Sequence, residues 1–179
     1  PYASINKSKE TEYSQLSVIS KIIKKERKDI NIIITTERSL QPHLINNNLF
    51  KENIFTLIKG NELDIKELTK KLVLLGYNKE NLTSQEGSWS RRGEIIDIYP
   101  VNNELPIRIE YFDNIIEKIR EYDPVTQRTL DSINKVEIVQ VGFNLLIRKK
   151  LESLSEQSTF SSEEITTKNN LDRYLGIIE

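Results

Sequence analysis

The chain contains no cysteine and only one histidine, His43, in 179 residues. Without thiols, disulfides and cysteine-ligated metal sites are excluded, and we expect a reducing compartment such as the cytoplasm. A single histidine leaves most nucleophilic triads and zinc sites without their residues. His43 follows Pro42 in a helix-like or loop-like stretch, and we interpret it as a surface or packing residue.

Glycine is scarce, and its distribution excludes a further kind of site. The six glycines are nowhere clustered beside a lysine, as a phosphate-binding loop requires. We therefore expect no nucleotide and no other cofactor in this segment. Methionine is absent altogether and the chain opens on Pro1 in loop-like sequence, so we expect it to be a piece of a larger protein.

Long apolar runs and a charge imbalance are missing as well. No run reaches the roughly 18 apolar residues of a membrane span, and the start does not have the pattern of a signal peptide, so we expect no membrane contact. The 26 basic and 27 acidic residues nearly cancel, so any contact with nucleic acid must come from a local patch. With 37% hydrophobic and 30% charged residues, the composition is that of a folded globular protein.

The first third of the chain has the rhythm of an α/β layer. Residues 12–27 carry Leu16, Ile19 and Ile23 at helical spacing. Residues 29–36 form a continuous apolar run, which is typical of a strand buried on both faces. We predict that 1–50 is the end of an α/β lobe, with a loop at residues 46–48.

The middle third predicts a small α/β module over residues 51–141. A strand is expected at 54–60, then a helix capped by Asn61, with one apolar face and a stop at Gly76. Beyond Gly76 the period changes from 3.6 to 2, so three short strands at 93–100, 106–112 and 115–123 should form an antiparallel meander. A turn at 123–131, one more strand at 133–141 and a helical segment at 142–179 complete the predicted mixed α/β fold.

The meander carries the one arrangement that suggests a binding surface. Alternation along "PIRIEYF" places Arg108, Glu110 and Phe112 on one face, with Arg108 and Phe112 about 13 Å apart, and Arg92 can approach it from the neighbouring strand. Arginine beside an aromatic residue is a combination enriched at protein interfaces. An equally weighted alternative is that Phe112 closes the core edge while the arginines pair with Glu94 or Glu110.

Two chemical alternatives use the same region. A metal-dependent nuclease could use Asp97, Glu110 and Asp113, but Asp97 and Glu110 alternate with apolar residues and so fit the solvent face of a half-buried sheet. We expect no catalytic residue and no metal ligand. Direct DNA binding would use four arginines: Arg91, Arg92, Arg108 and Arg120.

Residues 91–133 have the sequence "RRGEIIDIYPVNNELPIRIEYFDNIIEKIREYDPVTQRTLDSI". This stretch resembles the UvrB-homology module of the bacterial transcription-repair coupling factors, a module that those factors share with the excision-repair protein UvrB. The likeness extends to "GNELDIKELTKKLVLLGY" before this stretch, to "PYASINKS" at the start and to "VGFN" after it. "DPVTQRTL" favours the coupling factors, and the equivalent domain of UvrB is the alternative. The resemblance implies the end of a RecA-like lobe at 1–50, a UvrA-interaction domain at 51–141 and a helical return at 142–179.

The resemblance also implies a function in transcription-coupled nucleotide excision repair. The segment would be non-catalytic and would recruit UvrA. The parent would be an ATP-driven translocase that binds double-stranded DNA and RNA polymerase, with ATP and magnesium in other domains. The UvrA-contacting residues of the family fall on Arg92, Arg108 and Phe112. Arg120, Arg91 and Trp89 would form a rim, with Trp89 on the side of Arg91 and packing there as structure or rim.

Overall fold

The computed structural model describes residues 9–23, 32, 34 and 47–142, which lie in the compact unit Pro1–Gly142. Helices combine there with mostly antiparallel strands, which confirms the predicted mixed α/β class. The elements in chain order are α1 (Lys9–Ile23), α2 (Asn47–Glu52), β1 (Phe55–Ile58), α3 (Ile65–Leu74), β2 (Asn78–Lys79), β3 (Ser88–Arg92), β4 (Ile95–Ile98), β5 (Ile107–Phe112), β6 (Ile115–Tyr122), β7 (Thr129–Ile133) and β8 (Lys135–Ile138).

Much of the evidence for the outer predicted segments lies outside this part of the chain. The helical return at 142–179 is described only at Gly142, so it stays a prediction, as does the division into three segments. Of the predicted strand at 29–36, only Ile32 and Ile34 are described. Both are exposed and outside any strand, so burial on both faces is wrong at these two positions. An apolar run is buried only where another element covers it, and no described element pairs with these two residues.

Helix α3 follows its predicted apolar face but begins later than expected. Its buried side chains continue into the C-cap residue, and Gly76 ends the helix with φ 87°, as predicted. The N-cap is Asp64 and not Asn61, because the Asp64 carboxylate accepts hydrogen bonds from the amides of Lys66 and Glu67. A charged cap also suits the positive end of the helix dipole. The buried face is formed by Ile65, Leu68, Leu72 and Leu75.

The two other helices depart from prediction because of tertiary contacts. Helix α1 buries Tyr13, Leu16 and Ser20. Of the predicted face of Leu16, Ile19 and Ile23, only Leu16 is fully buried. The ring of Tyr13 sets this rotation: it fills the space beside Gly87, where an added Cβ would lie 2.8 Å from the Tyr13 hydroxyl. The loop predicted at 46–48 is wrong at Asn47 and Asn48, because α2 begins at Asn47, and residue 46 lies outside the described residues. The burial of Phe50 outweighs the low helix propensity of asparagine.

A six-stranded sheet in the order β2-β3-β4-β5-β6-β7 forms the centre of the described unit. Every neighbouring pair is antiparallel except β2 and β3, so the predicted meander is confirmed. Strands β3 and β4 join through Gly93 and Glu94, with Gly93 at φ 61°, the conformation that a two-residue hairpin demands at this position.

The segment predicted as a turn followed by one strand is in fact a turn and two strands. The turn ends at Arg128, and β7 begins at Thr129, inside the second half of the turn predicted at 123–131. A bend at Asn134 then interrupts the strand, and β8 pairs with β1 in a separate two-stranded sheet. Strand β7 is exposed along most of its length, so it lacks the apolar alternation that would have revealed it.

The meander has one apolar face and one polar face. Isoleucines at Ile96, Ile98, Ile107, Ile109 and Ile119 are buried on the first. The strand register places the opposite set of side chains together. We call this set the polar face: Ser90, Arg92, Asp97, Arg108, Glu110, Phe112, Lys118 and Arg120.

Candidate functional site: the polar face of the meander

A buried carboxylate lies at the centre of the polar face. The side chain of Asp97 is 1% exposed, although alternation along β4 predicted a solvent-facing position. Arg108 on β5 donates from Nε to Oδ1 at 2.7 Å and from Nη2 to Oδ2 at 2.9 Å, and Arg92 on β3 donates from Nη2 to Oδ2 at 2.8 Å. The solvent-face prediction is wrong because arginines from both neighbouring strands cover the carboxylate.

Arg108 is held from three sides. Besides its two bonds to Asp97, its Nη2 donates to the amide oxygen of Gln127 at 3.3 Å. Its Cζ lies 4.6 Å from the centre of the Tyr122 ring, within the range of a cation–π interaction. The hydrogen bond that Arg108 donates to Asp97 raises the pKa of Arg108 above its ordinary value, against the opposing effect of burial. Arg108 is therefore a fixed, permanently charged group of which only 15% is exposed.

Arg92 shares the same carboxylate but is far more accessible. Its side chain is 54% exposed, and its hydrogen bond to Asp97 uses Nη2 alone. The remaining guanidinium donors can reach a partner without breaking that bond. Of the two arginines that the sequence predicted together, the structure brings both to Asp97 and leaves Arg92 as the outward-facing one.

A buried polar network closes one end of the polar face. The hydroxyl of Tyr122 donates to the carbonyl of Thr83 at 3.1 Å, and the Thr83 hydroxyl donates to Ser90 Oγ at 3.0 Å. Burial raises the pKa of Tyr122, so its phenol remains protonated and able to donate. All three side chains are buried, so this end belongs to the structure of the module.

The opposite end of the polar face is apolar and open. Phe112 is 67% exposed, and Ile115, its cross-strand partner in the β5–β6 hairpin, is 46% exposed. The alternative in which Phe112 closes the core edge is therefore wrong. Asp113 holds the tip of this hairpin with φ 52°. An exposed phenylalanine in a fixed hairpin is rigid apolar area available to a partner.

Strand β6 adds two further cations beside the arginine pair. Arg120 lies directly opposite Arg108, and it bonds Glu110 at 3.2 Å, while Lys118 lies 3.6 Å from the same carboxylate. Like charges opposite one another in a sheet repel, and here each arginine has its own carboxylate to offset this. Arg120 is therefore a half-buried member of the polar face at the flank of Arg108.

Trp89 and Arg91 lie on the other side of β3. Their cross-strand partners are Ile98 and Ile96, so the two side chains share the side opposite Arg92, as alternation predicted. Of the two roles considered for Trp89, packing or part of a rim, its burial fits packing. Arg91 is exposed, and its Nε donates to the carbonyl of Gly93 at 2.9 Å.

Two of the three carboxylates considered for a nuclease, Asp97 and Glu110, are occupied by cations. Asp97 is bonded to two arginines, and Glu110 to Arg120 and Lys118. Within the described part of the chain, no three histidine, cysteine or acidic side chains are placed to hold a metal ion. DNA binding by the arginines stays a prediction.

No helix among the described residues is long and apolar enough to span a membrane.

Sequence reasoning missed the contribution of the turn between β6 and β7. Gln127 comes from this turn and Tyr122 from the strand before it, and both contact Arg108. The turn was visible as an Asp-Pro pair, but its contact with β5 was not, because 19 residues separate Gln127 from Arg108.

About half of the chain, including the whole polar face, matches a known domain family. The profile of the UvrB interaction domain matches residues 55–141. A transcription-repair-coupling factor of Staphylococcus epidermidis is 38% identical over 109 residues, 61% of this chain and 9% of the relative. Those of Staphylococcus aureus and Staphylococcus haemolyticus are 35% and 36% identical over 70% of this chain. The chain spans about a tenth of the length of these relatives. Residues 55–141, which carry the whole polar face, are therefore a UvrB interaction domain in a chain similar to the transcription-repair-coupling factors.

Proposed function

We propose that this chain binds UvrA through the polar face and performs no catalysis itself. The observation that carries the proposal is an exposed arginine and an exposed phenylalanine, Arg92 and Phe112, held on one face of a UvrB interaction domain. Arginine and large aromatic side chains supply most of the binding free energy in many protein interfaces. Because both side chains project from paired strands, little conformational entropy is lost when a partner binds.

The composition of the polar face indicates the surface that UvrA must present. Four cationic side chains, from Arg92, Arg108, Lys118 and Arg120, contact three carboxylates, those of Asp97, Glu110 and Glu117. The remaining positive charge favours acidic groups on the partner and speeds their association. Phe112 and Ile115 at the open end require an apolar contact beside those acids.

We further infer that the complete protein is a coupling factor acting in transcription-coupled nucleotide excision repair. The support is the likeness to transcription-repair-coupling factors over 61–70% of this chain. In this proposal the motor activity, the contacts with RNA polymerase and double-stranded DNA, and the ATP and magnesium they need belong to other parts of the protein. The segment described here supplies the contact with UvrA.

The test is UvrA binding by the wild-type chain and by Phe112→Ala. Phe112 is outside the core, so its truncation should leave the fold intact and cost roughly 2 kcal/mol of binding free energy, or about 30-fold in Kd. The matched control is Leu74→Ala, which removes a side chain of similar exposure, 70%, from α3. Equal affinity of wild type and Phe112→Ala, or no binding by the wild type, would contradict the proposal.

A further inference from the structure

Two arginines share one carboxylate on the polar face, but they use it differently. Arg108 commits both Nε and Nη2 to Asp97 in a bidentate pair, whereas Arg92 commits Nη2 alone. The bidentate geometry fixes the plane of the Arg108 guanidinium. Arg108 thereby orients both oxygens of Asp97, and Arg92 bonds one of them, Oδ2, which also accepts from Nη2 of Arg108. The position of Arg92 therefore depends on Arg108 through Asp97.

Gln127 supports the same arrangement from the turn between β6 and β7. The turn is closed by Asp123, whose carboxylate accepts hydrogen bonds from the amides of Val125 and Thr126. Gln127 follows with φ 60°, and its Nε2 donates to the carbonyl of Pro124 at 2.8 Å. Because the amide nitrogen is engaged there, the amide oxygen is directed at Arg108.

We propose that Asp97 and Gln127 are positioning residues for UvrA binding, an inference that rests on the proposed function. They hold Arg108 in place, and Arg108 with Asp97 presents the free donors of Arg92 to a carboxylate of the partner. Arg108 acts mainly as part of the support, since it is nearly buried and most of its donors are used. The turn that carries Gln127 is thereby part of the binding surface. It follows β6, and strands β4 and β5 lie between β6 and β3, the strand of Arg92.

The decisive variant is Gln127→Gly. Glycine adopts a positive φ without strain, so the turn should be retained even though the side chain is removed. Loss of the amide releases one side of Arg108, and we expect UvrA affinity to fall about tenfold, the effect of one hydrogen bond to a charged group. Thermal unfolding followed by circular dichroism should show a midpoint within a few degrees of wild type.

Two further variants separate positioning from a structural role of the turn. Gln127→Glu keeps an oxygen for Arg108 but loses the donor to Pro124, so it should retain most of the affinity if the contact with Arg108 matters. If Gln127 only stabilised the turn through Pro124, Gln127→Glu would bind UvrA as weakly as Gln127→Gly. Gln85→Ala is the matched control, because it removes an amide that bonds Glu80 on an exposed loop, and it should bind like wild type.

A spectroscopic measurement tests the same inference without UvrA. Rotation of the Arg108 guanidinium about its Nε–Cζ bond, measured by nitrogen-detected NMR on the full 179-residue chain, should be faster in Gln127→Gly than in wild type. Wild-type affinity or an unchanged rotation rate in Gln127→Gly would overturn the positioning role and leave UvrA docking intact. Failure of the wild-type chain to bind UvrA would instead overturn the proposed function, and the inference with it.

Discussion

Replacing Arg108 with alanine should destabilise the fold as well as alter the surface. The substitution removes both strong hydrogen bonds of a guanidinium that covers a 1%-exposed carboxylate. Among the described side chains, the Asp97 carboxylate then keeps only the bond from Arg92, whose side chain is 54% exposed. The contact of the guanidinium with the Tyr122 ring is lost at the same time.

The magnitude follows from the cost of an incompletely paired buried charge. Removing one partner of a buried ion pair costs about 3–5 kcal/mol, and the surviving bond from Arg92 places this case near the lower end, at about 3 kcal/mol. That is a large share of a typical total stability of about 5–15 kcal/mol. With a urea dependence of about 1–3 kcal/mol per molar, the unfolding midpoint should fall by roughly 1–3 M.

The assay is urea unfolding followed by circular dichroism for five proteins: the wild type, Arg108→Ala, Asp97→Ala, the double variant and a control. Arg91→Ala is the matched control, because Arg91 is an exposed arginine on the same strand as Arg92 and bonds only a nearby carbonyl among the described residues; its effect should stay within about 0.5 kcal/mol. The double variant Asp97→Ala/Arg108→Ala should lose less than the sum of the single losses, with a coupling of about 2 kcal/mol. An Arg108→Ala loss no larger than that of Arg91→Ala, or strictly additive losses, would refute the reasoning. Binding studies are therefore better made with Phe112→Ala than with Arg108→Ala.

Two further predictions concern turns of the meander. Gly93→Ala should destabilise the fold by about 1 kcal/mol through the strain of a positive φ alone, since an added Cβ would meet no atom within 4 Å. An unchanged urea midpoint for Gly93→Ala would contradict this. Backbone hydrogen bonds from the turn lower the pKa of Asp123 below its ordinary value. The ionised side chain therefore stabilises the fold fully above the ordinary pKa, and this stabilisation is lost as pH falls through the lowered pKa. Acid unfolding between about pH 5 and pH 2 should therefore be less steep in Asp123→Asn, which keeps the acceptor but does not titrate, and equal slopes would show that the turn is not involved.

The alternation of residues in the sequence was sufficient to place Arg108 and Phe112 on one face of β5. Side chains two and four residues apart on a strand share a face whatever surrounds the strand, so this property is local. The same holds for the leucine face of α3 and for its end at Gly76, which depend on the helical period and on one backbone conformation. Similarly, Arg91 and Arg92 were correctly assigned to opposite sides of β3.

The contacts that each of these side chains makes depend on how the strands and turns assemble. Asp97 is on the face that alternation predicts, yet it is buried because Arg92 and Arg108 reach it from 5 and 11 residues away. Gln127 reaches Arg108 across 19 residues, and nothing in a local pattern encodes that contact. Burial of a charge depends on partners that only chain folding brings together, because an unpaired carboxylate would remain in water. Strand alternation alone assigns the arginines to one face, whereas the contacts of the assembled sheet hold Arg108 in place and leave Arg92 and Phe112 exposed to a partner.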